Sequence, residues 1–227
     1  MNISYTTLSQ TGKRTNNEDV YRAMDLRDRD RWMGIVCDGM GGHAMGEVAS
    51  ETVAGVIFDF WKLHADEPDT EEKLREACRQ AAEALNERSD FFKQVEMGTT
   101  MVMASLENDT LTIAHTGDSR CYFQRPGEGV LYQTKDHTEL SFGWEIVSKC
   151  FFSYRPEAAL PDRAQFKVKS GDRLLLCSDG LYKSMAPDIL RERMMDDKTP
   201  AEILDVFDFL SDKFGDDNYT AILVQMD

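Results

Sequence analysis

Twice in this chain an apolar strand runs straight into Asp-Gly, first in Ile35-Val36-Cys37-Asp38-Gly39 and again in Leu174-Leu175-Leu176-Cys177-Ser178-Asp179-Gly180. Each puts a carboxylate at the mouth of a buried strand. Two more acidic sites border apolar runs: Gly117-Asp118-Ser119-Arg120 between two predicted strands, and Asp216-Asp217-Asn218 before the run 219–224. A single Asp-Gly pair is an ordinary turn, but four acidic strand ends in one fold point to a shared constraint. Carboxylates gathered over a core repel one another and resist desolvation unless a cation neutralises them. Oxygen donors without a His or Cys partner select Mg²⁺ or Mn²⁺ over zinc, and glycine after Asp38 lets a backbone carbonyl approach the ion.

Strand-like runs cover 3–10, 32–37, 99–106, 110–116, 120–124, 165–168, 173–177 and 219–225, several of them joined by tight polar connections such as Asn108-Asp109 that suit hairpins. Helical spacing links Val48, Val53, Val56, Ile57, Phe60 and Trp61 in one segment and Leu74, Ala77, Cys78, Ala81 and Leu85 in the next. A third helix opens at Thr199-Pro200-Ala201-Glu202, a capping box with proline in the first turn, and continues through Ile203, Val206, Phe207 and Leu210. Consecutive hairpins mean antiparallel sheet, and helices in blocks pack on outer faces, so an α+β layered sandwich follows. No linker-like stretch or repeat interrupts the sequence, and 1–227 is read as a single domain.

The partners are bounded by charge. With 41 acidic side chains against 26 basic, the net charge of −15 repels phosphodiester backbones and anionic headgroups, which excludes nucleic acid and membrane surfaces as partners. The apolar runs fall short of the roughly 20 residues a membrane helix needs, and 1–10 lacks the apolar core of a signal peptide. Five dispersed cysteines read as free, mostly buried thiols of a reducing compartment, so the expected location is cytoplasmic.

Near the start, Arg14-Thr15-Asn16-Asn17-Glu18-Asp19 offers a guanidinium just before two acids. Beside a metal cluster such a planar fork matches phosphoryl oxygens. This segment, together with 38–50 (DGMGGHAMGEVAS), Gly98-Thr99-Thr100, 116–120 (TGDSR), Asp136-His137-Thr138, Ser178-Asp179-Gly180 and Asp217-Asn218, resembles in order and spacing the bacterial branch of the metal-dependent type 2C serine/threonine protein phosphatases. The resemblance runs from about Ser9 to the last strand.

It implies a four-layer αββα sandwich, two antiparallel sheets flanked by helices, with a two-metal Mn or Mg site at one end. By motif match Asp38 is the bridging carboxylate, Gly39 a carbonyl ligand, and Asp179 and Asp217 the remaining direct ligands. Glu18 and Asp19 act mainly on ion-bound water, Asp118 shares a third, weaker ion with Asp179, and Arg14 binds the substrate phosphate. The implied reaction is hydrolysis of phosphoserine or phosphothreonine in proteins by a metal-activated water, in one in-line step without a phosphoenzyme. A cognate serine/threonine kinase is the implied opposing partner. His43 is read as structural at a helix start rather than as a general acid. The stretch 139–170 is shorter than the helical flap of bacterial relatives, and its Phe142, Trp144, Phe151, Phe152 and Tyr154 are read as core, against the alternative of a modified substrate face.

Three other readings compete. Gly39-Met40-Gly41-Gly42-His43-Ala44 fits a dinucleotide fingerprint with Asp59 about 20 residues on, although Asp38 would oppose a pyrophosphate and hairpins stand where βαβ units belong. Cysteine, aspartyl and zinc phosphatase chemistries lack their residues: no Cys is followed by Arg at the sixth position, and there is no Asp-x-Asp-x-Thr. A noncatalytic phosphatase-fold module docking a signalling partner would be expected to lose some of Arg14, Asp38, Asp179 and Asp217, yet all four are present.

Overall fold

The computed structural model describes residues 2–26, 31–40 and 45–227. Along the chain come β1 (Ile3–Gln10), β2 (Asp19–Leu26), β3 (Arg31–Asp38), α1 (Gly46–Leu63) and α2 (Glu71–Phe91). A run of strands follows: β4 (Gly98–Thr99), β5 (Met101–Glu107), β6 (Thr110–Thr116), β7 (Arg120–Arg125), β8 (Gly129–Gln133), β9 (Thr138–Ser141), β10 (Trp144–Val147) and β11 (Phe151–Phe152). After a 3₁₀ turn (Pro156–Ala159) the chain closes with β12 (Asp162–Lys167), β13 (Arg173–Cys177), α3 (Asp179–Tyr182), α4 (Pro187–Met194), α5 (Pro200–Phe214) and β14 (Tyr219–Met226).

Two five-stranded antiparallel sheets, ordered β12-β6-β5-β3-β2 and β1-β14-β13-β7-β8, form the centre. Strand alternation explains why their sequences read as continuous apolar runs. In β3, Trp32 and Val36 point into the layer between the sheets, whereas Met33, Ile35 and Cys37 point outward under α1 and α2. In β13 and β14, Leu174, Leu176, Ile222 and Val224 face the other sheet, and Leu175, Cys177, Ala221 and Leu223 face Leu190, Ile203 and Phe207 of α4 and α5. Both faces of the central strands are buried, so neither can be polar. The expected four-layer αββα sandwich is what the chain forms.

The third helix has its predicted capping box, with Thr199 and Glu202 each bonding the other's backbone N–H. All five cysteines are free and buried. The dinucleotide reading is contradicted: β3 lies between β2 and β5 and is antiparallel to both, so the strand before α1 belongs to no βαβ unit. The core reading of the aromatics in 139–170 holds for Phe151, which is fully buried, and fails for Phe142 and Trp144, 102% and 77% exposed. These two sit at the tip of a separate β9–β10 hairpin, where Phe142 and Gly143 adopt positive φ, and Tyr154 is also exposed. A two-stranded ribbon has no second layer to bury its side chains.

Candidate active site

The strand ends that carry the acids converge at one end of the sandwich. A cavity of about 750 Å³ there is lined by Arg14, Glu18, Asp38, Gly39, Asp118, Asp179, Lys183, Asp217 and Asn218, with Glu145, Ile146 and Val147 of β10 along its rim. Of the eight residues expected at the site, seven line it. Asp19 lies behind the floor, where its Oδ2 accepts a 2.6 Å hydrogen bond from the Ser178 hydroxyl. His43 falls outside the described residues.

Asp38 closes β3 and is fixed through its backbone. Its N–H donates to Thr100 Oγ1 (3.0 Å), and its carbonyl accepts from Thr100 N (2.9 Å) and Thr99 Oγ1 (2.8 Å). Thr100 in turn shares a 2.7 Å hydroxyl contact with Ser119, which ties the Asp118 turn to the same point. Gly39 donates to the Glu18 carbonyl (3.0 Å). A Cβ on Gly39 would run into the backbone of Gly46 at the start of α1, so glycine is required here for close packing of two backbones as well as for an exposed carbonyl.

The loop bearing Arg14 is stapled by a residue 200 positions away. Asn218 accepts from Glu18 N (2.9 Å) and donates to the carbonyls of Thr11 and Asn16, both at 2.8 Å. Arg14 Nη2 then reaches Asp217 Oδ2 at 2.8 Å. The segment 136–138 is scaffolding of a similar kind. Asp136 holds Arg120 through two bonds (2.9 and 2.6 Å), His137 Nδ1 accepts from Gly117 N (3.2 Å), and Thr138 Oγ1 donates to Glu145 of the hairpin (2.6 Å).

Electrostatically the cavity is a frustrated cluster of acids. Burial, then the proximity of Asp19, Asp179, Asp118 and Asp217, drives the Asp38 carboxyl well above the usual range. Burial likewise pushes Asp19 up to about 7, despite the Ser178 bond that opposes it. Asp118 rises to about 6 through burial and then Asp179, and Glu18 rises through burial and then Glu47.

Three of the acids are partly neutralised by cations of the chain, Asp217 by Arg14, and Asp179 and more distantly Asp118 by Lys183. Among the described residues no three His, Cys, Asp or Glu side chains close around one point as a finished ligand cage. Lys183, Asn218 and Thr100 were not singled out from the sequence. Asn218 and Thr100 stood inside recognised motifs without an assigned role, and Lys183 carried no signal.

The Protein phosphatase 2C family model matches residues 9–225. The serine/threonine phosphatase stp of Listeria monocytogenes is 31% identical over 235 residues, covering 94% of this chain and 92% of its own length. Among solved structures, the serine/threonine phosphatase PstP/Ppp of Mycobacterium tuberculosis superposes with a TM-score of 0.82 at 28% identity, covering 99% of both chains. The catalytic domain of a PstP in complex with two manganese ions does so at 0.79 and 30% identity, again over 99% of each chain.

Proposed function

Because the chain belongs to the protein phosphatase 2C family, we propose that its acidic cavity is the catalytic site and that Asp38, Gly39, Asp179 and Asp217 hold the two ions of a metal-dependent serine/threonine protein phosphatase. The observation that carries this is Asp38, a carboxylate at a cavity floor with four further acids around it and a proton affinity raised by burial first and then by that crowding. Such a donor set fits hard divalent ions such as Mn²⁺ or Mg²⁺, which restore its ionised form. One relative was solved with two manganese ions. Bound there, the ions would supply a water acidic enough to ionise to a nucleophile near neutral pH, and positive charge to offset that on the phosphoryl oxygens.

The remaining roles belong to the chain's own groups. Arg14, at the rim and already paired with one carboxylate, presents a planar fork to the phosphoryl oxygens and orients the phosphate. Glu18 faces the cavity and Asp19 holds Ser178, so the two orient water and the strand end around the site. No Ser, Cys or His lines the cavity among the described residues; its two threonines are Thr100, whose hydroxyl is engaged by Asp38 and Ser119, and the exposed Thr15. That inventory supports direct attack by water rather than a phosphoenzyme.

Residues 1–227 act as one catalytic domain on this reading, on phosphoserine and phosphothreonine proteins phosphorylated by a cognate kinase. No described helix is long and apolar enough to cross a membrane. Five buried free thiols support a reducing, cytoplasmic setting. The test is phosphate release from a phosphothreonine peptide with Mn²⁺ and with EDTA. Turnover should require the metal and fall more than about 100-fold in Asp38→Asn and in Asp179→Asn; folded, Mn²⁺-saturated protein without turnover would leave the noncatalytic docking module standing.

A further inference from the structure

Asp118 and Asp179 reach the cavity from separate parts of the fold, one from the β6–β7 turn and the other from the start of α3. A single ammonium serves both. Lys183 Nζ lies 2.6 Å from Asp179 Oδ2 and 3.7 Å from Asp118 Oδ2. Lys183 follows Asp179 by four residues across the one turn of α3, which brings the two side chains to the same side. On the opposite side, Asp118 is buried and its turn is anchored. Its carbonyl accepts from the Tyr182 hydroxyl (3.2 Å), and the Tyr182 ring carries the guanidinium of Arg120 at 3.7 Å, itself clamped by Asp136. The position of the Asp118 turn is therefore set by packing.

We propose that Lys183 is a tethered cation occupying the place where a third, weaker divalent ion is expected between Asp118 and Asp179, so that this enzyme works with two ions and a lysine. The inference rests on the phosphatase reading above. At this locus the donor set does not fit a divalent ion, because an ammonium offers three donors and no acceptor and already stands against both carboxylates. A tethered charge is present at every ion concentration, whereas a weakly held ion comes and goes. The positive charge on this wall of the cavity is then independent of the metal supply.

The experiment is ion stoichiometry, measured by equilibrium dialysis of the full chain against saturating Mn²⁺ with elemental analysis, and with circular dichroism to confirm folding. Wild type should bind two ions. Lys183→Asn, which removes the charge and leaves both carboxylates, and Lys183→Asp, which adds a third acid, should each bind three, and adding Asp118→Asn to Lys183→Asp should return the count to two. A wild type that binds three ions and loses one in Asp118→Asn overturns the proposal, as do two folded Lys183 variants that both stay at two. A wild type that binds no Mn²⁺ and releases no phosphate would instead overturn the two-ion phosphatase reading on which the proposal rests.

Discussion

Asp19 and Asp38 pair across β2 and β3, and among the described residues neither forms an ion pair with a basic side chain. Asp19 holds its proton up to about pH 7, whereas an unfolded chain releases it near about 3.9. Between those values the folded state binds the extra proton, so the stability this group contributes is present at low pH and is lost as pH rises through the window. The Tm of ion-free protein should accordingly drop between about pH 5 and about pH 7.5, and drop less in Asp19→Asn. Equal slopes in the two proteins would show that this proton is not linked to folding. Asn218 acts by geometry instead. Asn218→Ala removes three bonds to the loop that carries Arg14 and should lower kcat/KM roughly 10- to 100-fold, as loss of a supporting residue does at a metal site. An unchanged kcat/KM would mean that the Arg14 loop holds itself.

At the level of elements, the strands buried on both faces were legible, and so were β1 and part of β12 at sheet edges, whereas the edge strands β2 and β8 were not. β3, β13 and β14 announce themselves as unbroken apolar runs, while β2 and β8 lie at sheet edges, half exposed and polar enough to read as loop. Asp38, Asp118, Asp179 and Asp217 were legible because they border legible strands, whereas Glu18 and Asp19 stand at the start of β2 and showed only through the motif they share with Arg14. Lys183 was not legible, since it follows a helix of four residues that leaves no periodic trace. The Asn218 staple spans 200 positions, a pairing that only the fold reveals. Composition also misled in the β9–β10 hairpin, where aromatics signal burial in general but here form an exposed tip whose base borders the cavity. Changing Phe142 and Trp144 together to Ser should leave kcat/KM for a small aryl phosphate unaltered and lower it roughly 5- to 30-fold for a phosphoprotein, the equivalent of 1–2 kcal/mol of contact with the polypeptide. Parallel losses on both substrates would place the effect in the cavity itself.

Across the whole molecule, crowded acids at one end make folding depend on what neutralises them. Ions that bind only the folded state at 100 times their Kd add about 2.7 kcal/mol, worth several degrees of Tm in a chain of this size. EDTA should therefore lower the Tm measurably near neutral pH, and an unchanged Tm would argue that no ion is held. The sheet order carries one more consequence. β14 lies between β1 and β13, and Arg14 meets Asp217 across 203 positions of sequence. A ribosome delivers Arg14 and Asp38 early and Asp217 among the last residues of the fold. Until then β1 has no neighbour in its sheet, and the cavity is short of an acid and of the Asn218 staple. If Asp217 is an ion ligand as proposed, the growing chain is born inert, and a ribosome-stalled chain ending before 217 should release no phosphate.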